Sequence, residues 1–511
     1  MPTNMFVVAA VIVAYLLGMV WLGVKLSKQN ETTDDFYLGG RKLGPLVTAM
    51  SAEASDMSSW LLMGIPGLAY VSGICDPAWT CIGLALGTYL NWLIVARRLR
   101  RYSHRISAIT LPEFYAKRYH DHKHVISLIA AIVIIVFFIP YTASGFSACG
   151  KLFNSLFGVK YQTAMVIFAA VIVFYTTFGG FTAASTSDLI QSIIMSLGLI
   201  IILVTGVAMA GGVSAVLDNA KTIPGLLSLS QTFDPATGTA KPYGLLTVFS
   251  MMAWGLGYFG MPHVLLRFMA IEDANKLATS RRIATVWVVI SMGVAILIGI
   301  VGLGASANGA IPTLEAAASE TVIVEFSSKL ASFGILPAAV AGLVLAGILA
   351  ATMSTADSQL LAAASSASED IIGHFFGIEL SDKKKLIIAR VTVLVISLIA
   401  IFFARDPNSS VFRVVSFAWA GFGAAFGPVT ILALFWKKSN KWGALAGMAA
   451  GGAMVFIWKF LIGPLGGVFG IYELLPAFLV ALLANVLVSL ATGGASAEVQ
   501  KEFDDASVLT D

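Results

Sequence analysis

The sequence predicts an all-α, polytopic membrane protein with about 13 transmembrane helices, arranged as two inverted five-helix repeats that contain discontinuous helices. Three observations carry this. Apolar residues make up 58% of the 511-residue chain and charged residues only 12%, with mean hydropathy +0.87, against roughly 45–50% and 25% in soluble domains. Apolar runs of about 20 residues recur along the whole length. Two of these runs are interrupted by polar residues, glycine or proline at corresponding positions.

The candidate spans lie near 5–26, 44–71, 74–96, 125–150, 161–178, 188–211, 244–266, 283–304, 335–366, 386–404, 411–436, 442–461 and 470–493. The first lacks a basic leader and a small-residue cleavage site, so it reads as a span and not a signal peptide. Basic residues follow the odd-numbered spans. They are Lys25, Lys28, Arg41 and Lys42, then Arg97 to Lys123, Arg267 to Arg282, Lys383 to Arg390, and Lys437, Lys438 and Lys441. By the positive-inside rule that side is the cytoplasm, which places the N-terminus outside the cell's inner membrane and makes 494–511 a cytoplasmic tail. The net charge of +4 then reflects orientation in a lipid bilayer, and nucleic acid is not expected as a partner. Cys75, Cys81 and Cys149 match no metal spacing and read as small buried apolar residues. His120, His122 and His124 alternate in a polar stretch and read as a solvated face.

The whole chain, 1–511, reads as one transporter domain. Residues 44–211 form the first repeat and 244–436 the second, with 5–26 as an extra first span and 442–493 as two further spans. In the first repeat the interruption is Ser51-Ala-Glu-Ala-Ser-Asp-Met-Ser-Ser-Trp60, which puts Glu53 and Asp56 inside an apolar run. An aspartate at bilayer depth costs about 2.5–3.5 kcal/mol, so such residues mark ion or substrate pathways. Five spans later Trp254-Gly-Leu-Gly-Tyr-Phe-Gly-Met-Pro262 makes a regular helix costly, because glycine lacks helix propensity and proline lacks the amide donor. An odd separation requires the second repeat to run inverted.

A hard cation exchanges its water shell for oxygens, and an unwound helix supplies carbonyls without intrahelical donors. The candidates are the carbonyls of Ala54 and Met57, flanking Asp56. In Ala351-Thr-Met-Ser-Thr-Ala-Asp-Ser358, the Ala351 carbonyl and the Thr355 hydroxyl fall on one helix edge, with Ser354 adjacent.

At these residues the chain resembles the sodium:solute symporter family, and its proline branch in particular, through Phe36-Tyr-Leu-Gly-Gly-Arg41, Ala54 to Ser58 with Trp60 to Gly64, Trp254 to His263, Met353-Ser-Thr355 and Ala418 to Pro428. The resemblance implies a LeuT-like fold and Na⁺-coupled uptake of L-proline by alternating access. It places the sodium site on Ala54, Met57, Ala351, Ser354 and Thr355, with Asp56 needed for coupling. It places the proline pocket on Ser58, Trp60, Tyr141, Trp254, Tyr258 and Pro262, with Ser59 and Met261 touching it. It offers a second cation position at Asp188, Ser354, Asp357 and Ser358, where a hydrogen-bonded structural pair is the other reading. Arg41 resembles a family arginine that affects sodium coupling, and equally reads as a topology charge. The chain departs from the proline pattern at Ser59, Met261 and Glu53, and Glu53 is placed to carry a proton.

Aromatic faces suit a pyrrolidine ring and its ammonium, and hydroxyls with a helix terminus suit the carboxylate. A symporter of another small solute is the nearest alternative, and a membrane sensor a more distant one. An enzyme is not expected: no nucleophile–base constellation and no phosphate-binding loop occur, so no cofactor is expected beyond the coupling ion Na⁺. The sequence does not give the oligomeric state.

Overall fold

The computed structural model describes residues 3–26, 33–378 and 381–507. Lys28 and the last four residues of the expected tail, 508–511, lie outside the described residues. Among the described residues ten helices are long and apolar enough to cross a membrane, and Leu245–Gly260 with Pro262–Ala270, bent by 46°, makes an eleventh span if counted together. The remaining two of the 13 expected runs do not pass as single helices. Run 44–71 is divided into Pro45–Asp56, a wide turn at Trp60–Gly64 and Ile65–Ser72. Run 161–178 supplies only the short apolar helix Tyr161–Phe174. Gly180, with φ 68°, turns the chain there before Gly180–Met209 continues, a conformation open to glycine because it lacks a Cβ.

The centre of the molecule is formed by Ile335–Ser365 and Val411–Phe435, while Thr3–Leu26 and Leu474–Ala491 lie at the margin. Phe6, Leu17, Trp21, Leu483 and Leu487 are exposed on those marginal helices. Such a surface suits hydrocarbon, where each spanning helix satisfies its own backbone groups. The three cysteines are free and buried, as expected.

The two faces of the bundle differ. On one, the polar stretch after 211 forms the helix Val213–Thr222 and an antiparallel hairpin of Gln231–Asp234 with Thr239–Pro242. It is tied down by the Trp79 indole donating to the Leu229 carbonyl at 2.9 Å and by the Tyr243 hydroxyl donating to Asp76. On the other face, arginines that read as topology charges are fastened to the backbone. Arg100 Nε donates to Ile271 O at 2.7 Å, Arg118 Nε to Ala433 O at 2.8 Å, and Arg41 to Met269 O at 2.8 Å and Ala108 O at 2.5 Å. Arg41 thus does more than carry charge: it joins three segments just before the first broken span begins at Pro45.

The same face carries the tail, and one expectation is corrected there. The tail contains a helix, Ala497–Ser507, whose Glu502 accepts from the Tyr102 hydroxyl at 3.1 Å and whose Phe503 ring lies under Arg118 at 5.0 Å. His120 pairs with Glu502 at 2.9 Å and His124 stacks on His374 at 5.3 Å, so these two histidines hold contacts where a solvated face was expected. The alternate spacing could not reveal partners 250 to 380 residues away.

Small residues bring backbones into contact between the third span and the second broken span. A Cβ on Gly87 would lie 2.2 Å from the Gly255 carbonyl oxygen, and one on Gly83 would lie 2.3 Å from that of Met252. Such close approach is how small residues join membrane helices. Gly87→Ala is therefore expected to force the two apart and to cost at least about 1–3 kcal/mol, read as a lowered melting temperature of the detergent-purified protein by fluorescence-detected size exclusion; an unchanged melting temperature would refute the contact.

Candidate functional site

The helix from Pro45 stops at Asp56 because Met57 turns to ψ 67°. The Ser58 amide, which would bond Ala54 O in a regular helix, donates instead to Asp56 O at 2.9 Å, and the Leu61 amide that would serve Met57 O goes to Ser58 O at 3.0 Å. The backbone carbonyls of Ala54 and Met57 thereby lose these helical amide partners. After the break the chain resumes as the wide turn Trp60–Gly64, a geometry that often accompanies functional sites.

Helix Ile335–Ser365 runs unbroken past this point. Ser354 Oγ lies 2.7 Å from Ala54 O and 3.1 Å from Ala351 O, and Thr355 Oγ1 lies 3.1 Å from Ala351 O. Four of the five oxygens expected to hold sodium are thus linked in one buried group between two helices. Each hydroxyl now donates to a carbonyl; rotating its hydrogen away presents a lone pair at the same position. The donor set is all oxygen and uncharged, which suits Na⁺ as a transported ion.

The pocket residues gather on the other side of Asp56. The Asp56 carbonyl accepts from the Trp60 indole at 3.1 Å and the Tyr141 hydroxyl at 3.2 Å, while its carboxylate accepts from the Tyr258 hydroxyl at 2.6 Å. Trp60 and Trp254 have ring centroids 6.2 Å apart. Met261 is the bend of the second broken span, extended at ψ 108°, with Pro262 opening the next helix. Ser58, Ser59, Met261 and Pro262 are buried beside the aromatic residues, and the Ser59 hydroxyl has no hydrogen-bond partner. Trp419 was not singled out from the sequence: its indole donates to Trp254 O at 2.8 Å and its ring stands edge-on to Tyr258 at 5.0 Å. Only its place in the motif Ala418 to Pro428 pointed to it.

The group offered as a second cation position is altered by a residue assigned to a loop. Arg267 is 1% exposed and lies in Pro262–Ala270, inside the bundle. It donates to Asp188 at 3.3 Å, to the Ser51 hydroxyl at 3.0 Å, to the Ser358 hydroxyl at 2.5 Å and to His263 O at 3.0 Å. The cation between Asp188 and Ser358 is thus a guanidinium, while Asp357 meets the Ser358 hydroxyl at 3.2 Å and keeps one oxygen without a partner. The sequence signal for Arg267 was its position five residues after Pro262, within an apolar run.

A cavity of about 900 Å³ opens on the face opposite Arg41, lined by Gly64, Pro140, Glu320, Phe412, Phe417 and Phe460. Phe412, which lines it, lies tilted against Trp254 with ring centroids 5.2 Å apart, so the cavity is one ring away from the aromatic group. Beside it a buried ion pair, Lys151 to Glu320 at 2.6 Å, anchors the first turn of Val411–Phe435: Glu320 accepts from the Ser410 hydroxyl at 2.8 Å and the Val411 amide at 3.2 Å.

Residues 36–451 match the sodium:solute symporter family. A sodium/proline symporter of Haemophilus influenzae is 41% identical over 497 residues, covering 96% of each chain. An osmoregulated proline transporter of Bacillus subtilis is 38% identical over 480 residues, covering 94% of this chain and 93% of its own. The solved structure of a substrate-bound, outward-open Na⁺-coupled sialic acid symporter has a TM-score of 0.76 at 18% identity, covering 96% of this chain and 99% of that one. A nucleobase-cation-symport-1 family transporter in a closed conformation gives 0.51 at 16% identity, covering 92% and 98%. The fold is the LeuT-like fold expected from the sequence.

Removing one member of the Arg267 network should be severe, because the remaining carboxylate stays buried. Arg267→Met is expected to destabilise by about 3–5 kcal/mol, and adding Asp188→Asn should recover part of the loss. Thermal unfolding of the single and double variants checks this; additive losses would show that the two side chains act independently.

Proposed function

Because the chain belongs to the sodium:solute symporter family, we propose that it is a secondary active transporter that uses the Na⁺ gradient to accumulate L-proline by alternating access. The observation that carries this reading is the contact between the released Ala54 carbonyl and Ser354 Oγ, set beside an aromatic pocket that shares Asp56. Na⁺ takes the carbonyls of Ala54, Met57 and Ala351 and the hydroxyls of Ser354 and Thr355. Asp56, held by Tyr258, supplies nearby negative charge and ties the ion to the pocket. Proline lies among Ser58, Ser59, Trp60, Tyr141, Trp254, Tyr258, Met261 and Pro262. Its carboxylate meets the N-terminal end of the resumed helix, and its ring and ammonium meet the aromatic faces.

In this reading the face carrying Arg41, Arg100 and Arg118 is cytoplasmic, the N-terminus is outside, and the cavity above Trp254 is the external approach. Residues 44–211 and 244–436 are the two inverted repeats. The backbone ties of Arg41 close the inner route, and opening it requires those bonds to break. The Asp188, Asp357 and Ser358 group is structural here, with Arg267 supplying its positive charge. Ser59 and Met261 are where a preference for another small solute would be written.

The test is uptake of radiolabelled L-proline into proteoliposomes with and without an inward Na⁺ gradient. Uptake should require Na⁺, and Asp56→Asn and Ser354→Ala should each lower it by about tenfold or more, equivalent to at least about 1.4 kcal/mol. Accumulation of a different solute would keep the scaffold and discard proline; uptake insensitive to Na⁺ would discard the ion site.

A further inference from the structure

On the side of Pro45–Asp56 that faces away from Ile335–Ser365, three oxygens, Glu53 Oε2, Asp56 Oδ1 and Asn91 Oδ1, are buried without a hydrogen-bond partner among the described residues, and a fourth, Thr88 Oγ1, has at most the Tyr258 hydroxyl; all four residues are no more than 1% exposed. They come as two pairs three residues apart on adjacent helices, a spacing that puts each pair on one helix face. The remaining bonds hold the group together. Trp92 Nε1 donates to Glu53 Oε1 at 2.9 Å, the Tyr258 hydroxyl to Asp56 Oδ2 at 2.6 Å, and Asn91 Nδ2 to Tyr258 O at 3.0 Å. The Tyr258 hydroxyl also neighbours that of Thr88. One tyrosine therefore touches both helices.

Neither carboxylate is ion-paired. The ion pairs whose two side chains are both buried, among the described residues, are Lys151 with Glu320 and Arg267 with Asp188. Two carboxyls without a counter-charge are costly at this depth when ionised, and the Asn91 amide oxygen and Thr88 hydroxyl, joined to them through Tyr258 and Trp92, add acceptors where a donor or cation is needed. The cation proposed between Ala54 and Ser354 brings a single positive charge, and Asp56 is the acid beside it. Glu53, when ionised, calls for a second.

We propose that Glu53, Asp56, Thr88 and Asn91 form a further Na⁺ site between the first broken span and the helix that follows it, so that two sodium ions balance the two carboxylates. The inference rests on the sodium-driven reading above and adds the number of ions. Asp56 belongs to both levels: its carboxylate faces this group and its carbonyl faces the proline pocket. Filling the site fixes Tyr258 against Asp56 and so sets the pocket wall before proline arrives.

Equilibrium binding of ²²Na⁺ to the purified protein tests it directly. The wild type should bind about two ions per chain, Glu53→Gln and Asn91→Leu about one each, Ser354→Ala about one, and Glu53→Gln with Ser354→Ala none. Half-saturating Na⁺ for proline uptake should rise by about tenfold in Asn91→Leu. Thr88→Val, which keeps the side-chain shape, should weaken the same ion, and unchanged melting temperatures exclude misfolding as the cause. A wild type that binds one ion, or a count unaltered by Glu53→Gln and Asn91→Leu, overturns the site. A shifted pH dependence of uptake in Glu53→Gln with the ion count intact would assign a shared proton instead, and also overturns it. If ²²Na⁺ binds as described but no proline is moved, the site stands and the substrate reading falls.

Discussion

Everything in the centre of this protein depends on how the backbone is satisfied where the first broken span stops being a helix. In hydrocarbon an unbonded carbonyl has no water to turn to, so a break is tolerated only if side chains or ions replace the lost amides. Here the Asp56 carbonyl collects the Ser58 amide, the Trp60 indole and the Tyr141 hydroxyl, and the Ala54 carbonyl takes the Ser354 hydroxyl. Those donors come from two distant helices as well as from the chain just beyond the break. The unwound turn is therefore a junction that positions Val125–Phe157 and Ile335–Ser365 against Pro45–Asp56. The features that make the site polar are the same ones that hold the helices in register.

Charge is handled by the same rule. Lys151 with Glu320 and Arg267 with Asp188 are buried ion pairs whose members also bond hydroxyls or backbone atoms. Such pairs add little net stability, but removing one partner leaves an uncompensated charge, which makes them good determinants of a single arrangement. Lys151 and Glu320 border the open cavity, and Arg267 stands at the root of the second broken span. Each fixes an end of an element that lines the path.

Much of this was legible in the amino-acid order. Hydropathy gave the spans; the acids and hydroxyls of 51–60 and the glycines and Pro262 of 254–262 gave the breaks; the four-residue step from Ala351 to Thr355 gave the hydroxyl–carbonyl group that meets Ala54. These are local signals, and they survive folding because helical periodicity is local. What was missed depends on partners far along the chain. Arg267 looked like any basic residue near a span end until Asp188 and Ser358 met it. His120 and His124 looked solvated because Glu502 and His374 are hundreds of residues away. Trp419 carried no sign that its indole would cap Trp254. The hairpin at 231–242 escaped because its short strands have no apolar face to bury.

The glycine contacts between the third span and the second broken span carry a mechanical consequence. With carbonyls of Gly255 and Met252 pressed against Gly87 and Gly83, no layer of side chains lies between the two backbones to slide or re-rotamer. These segments must travel as one rigid piece. Relative motion is left to boundaries padded by side chains, and the Ala54 to Ser354 contact is one such boundary. In the sodium-driven reading proposed above, an ion seated there would work as a clasp between two levers: its arrival locks them at one angle, and its departure frees them to swing back.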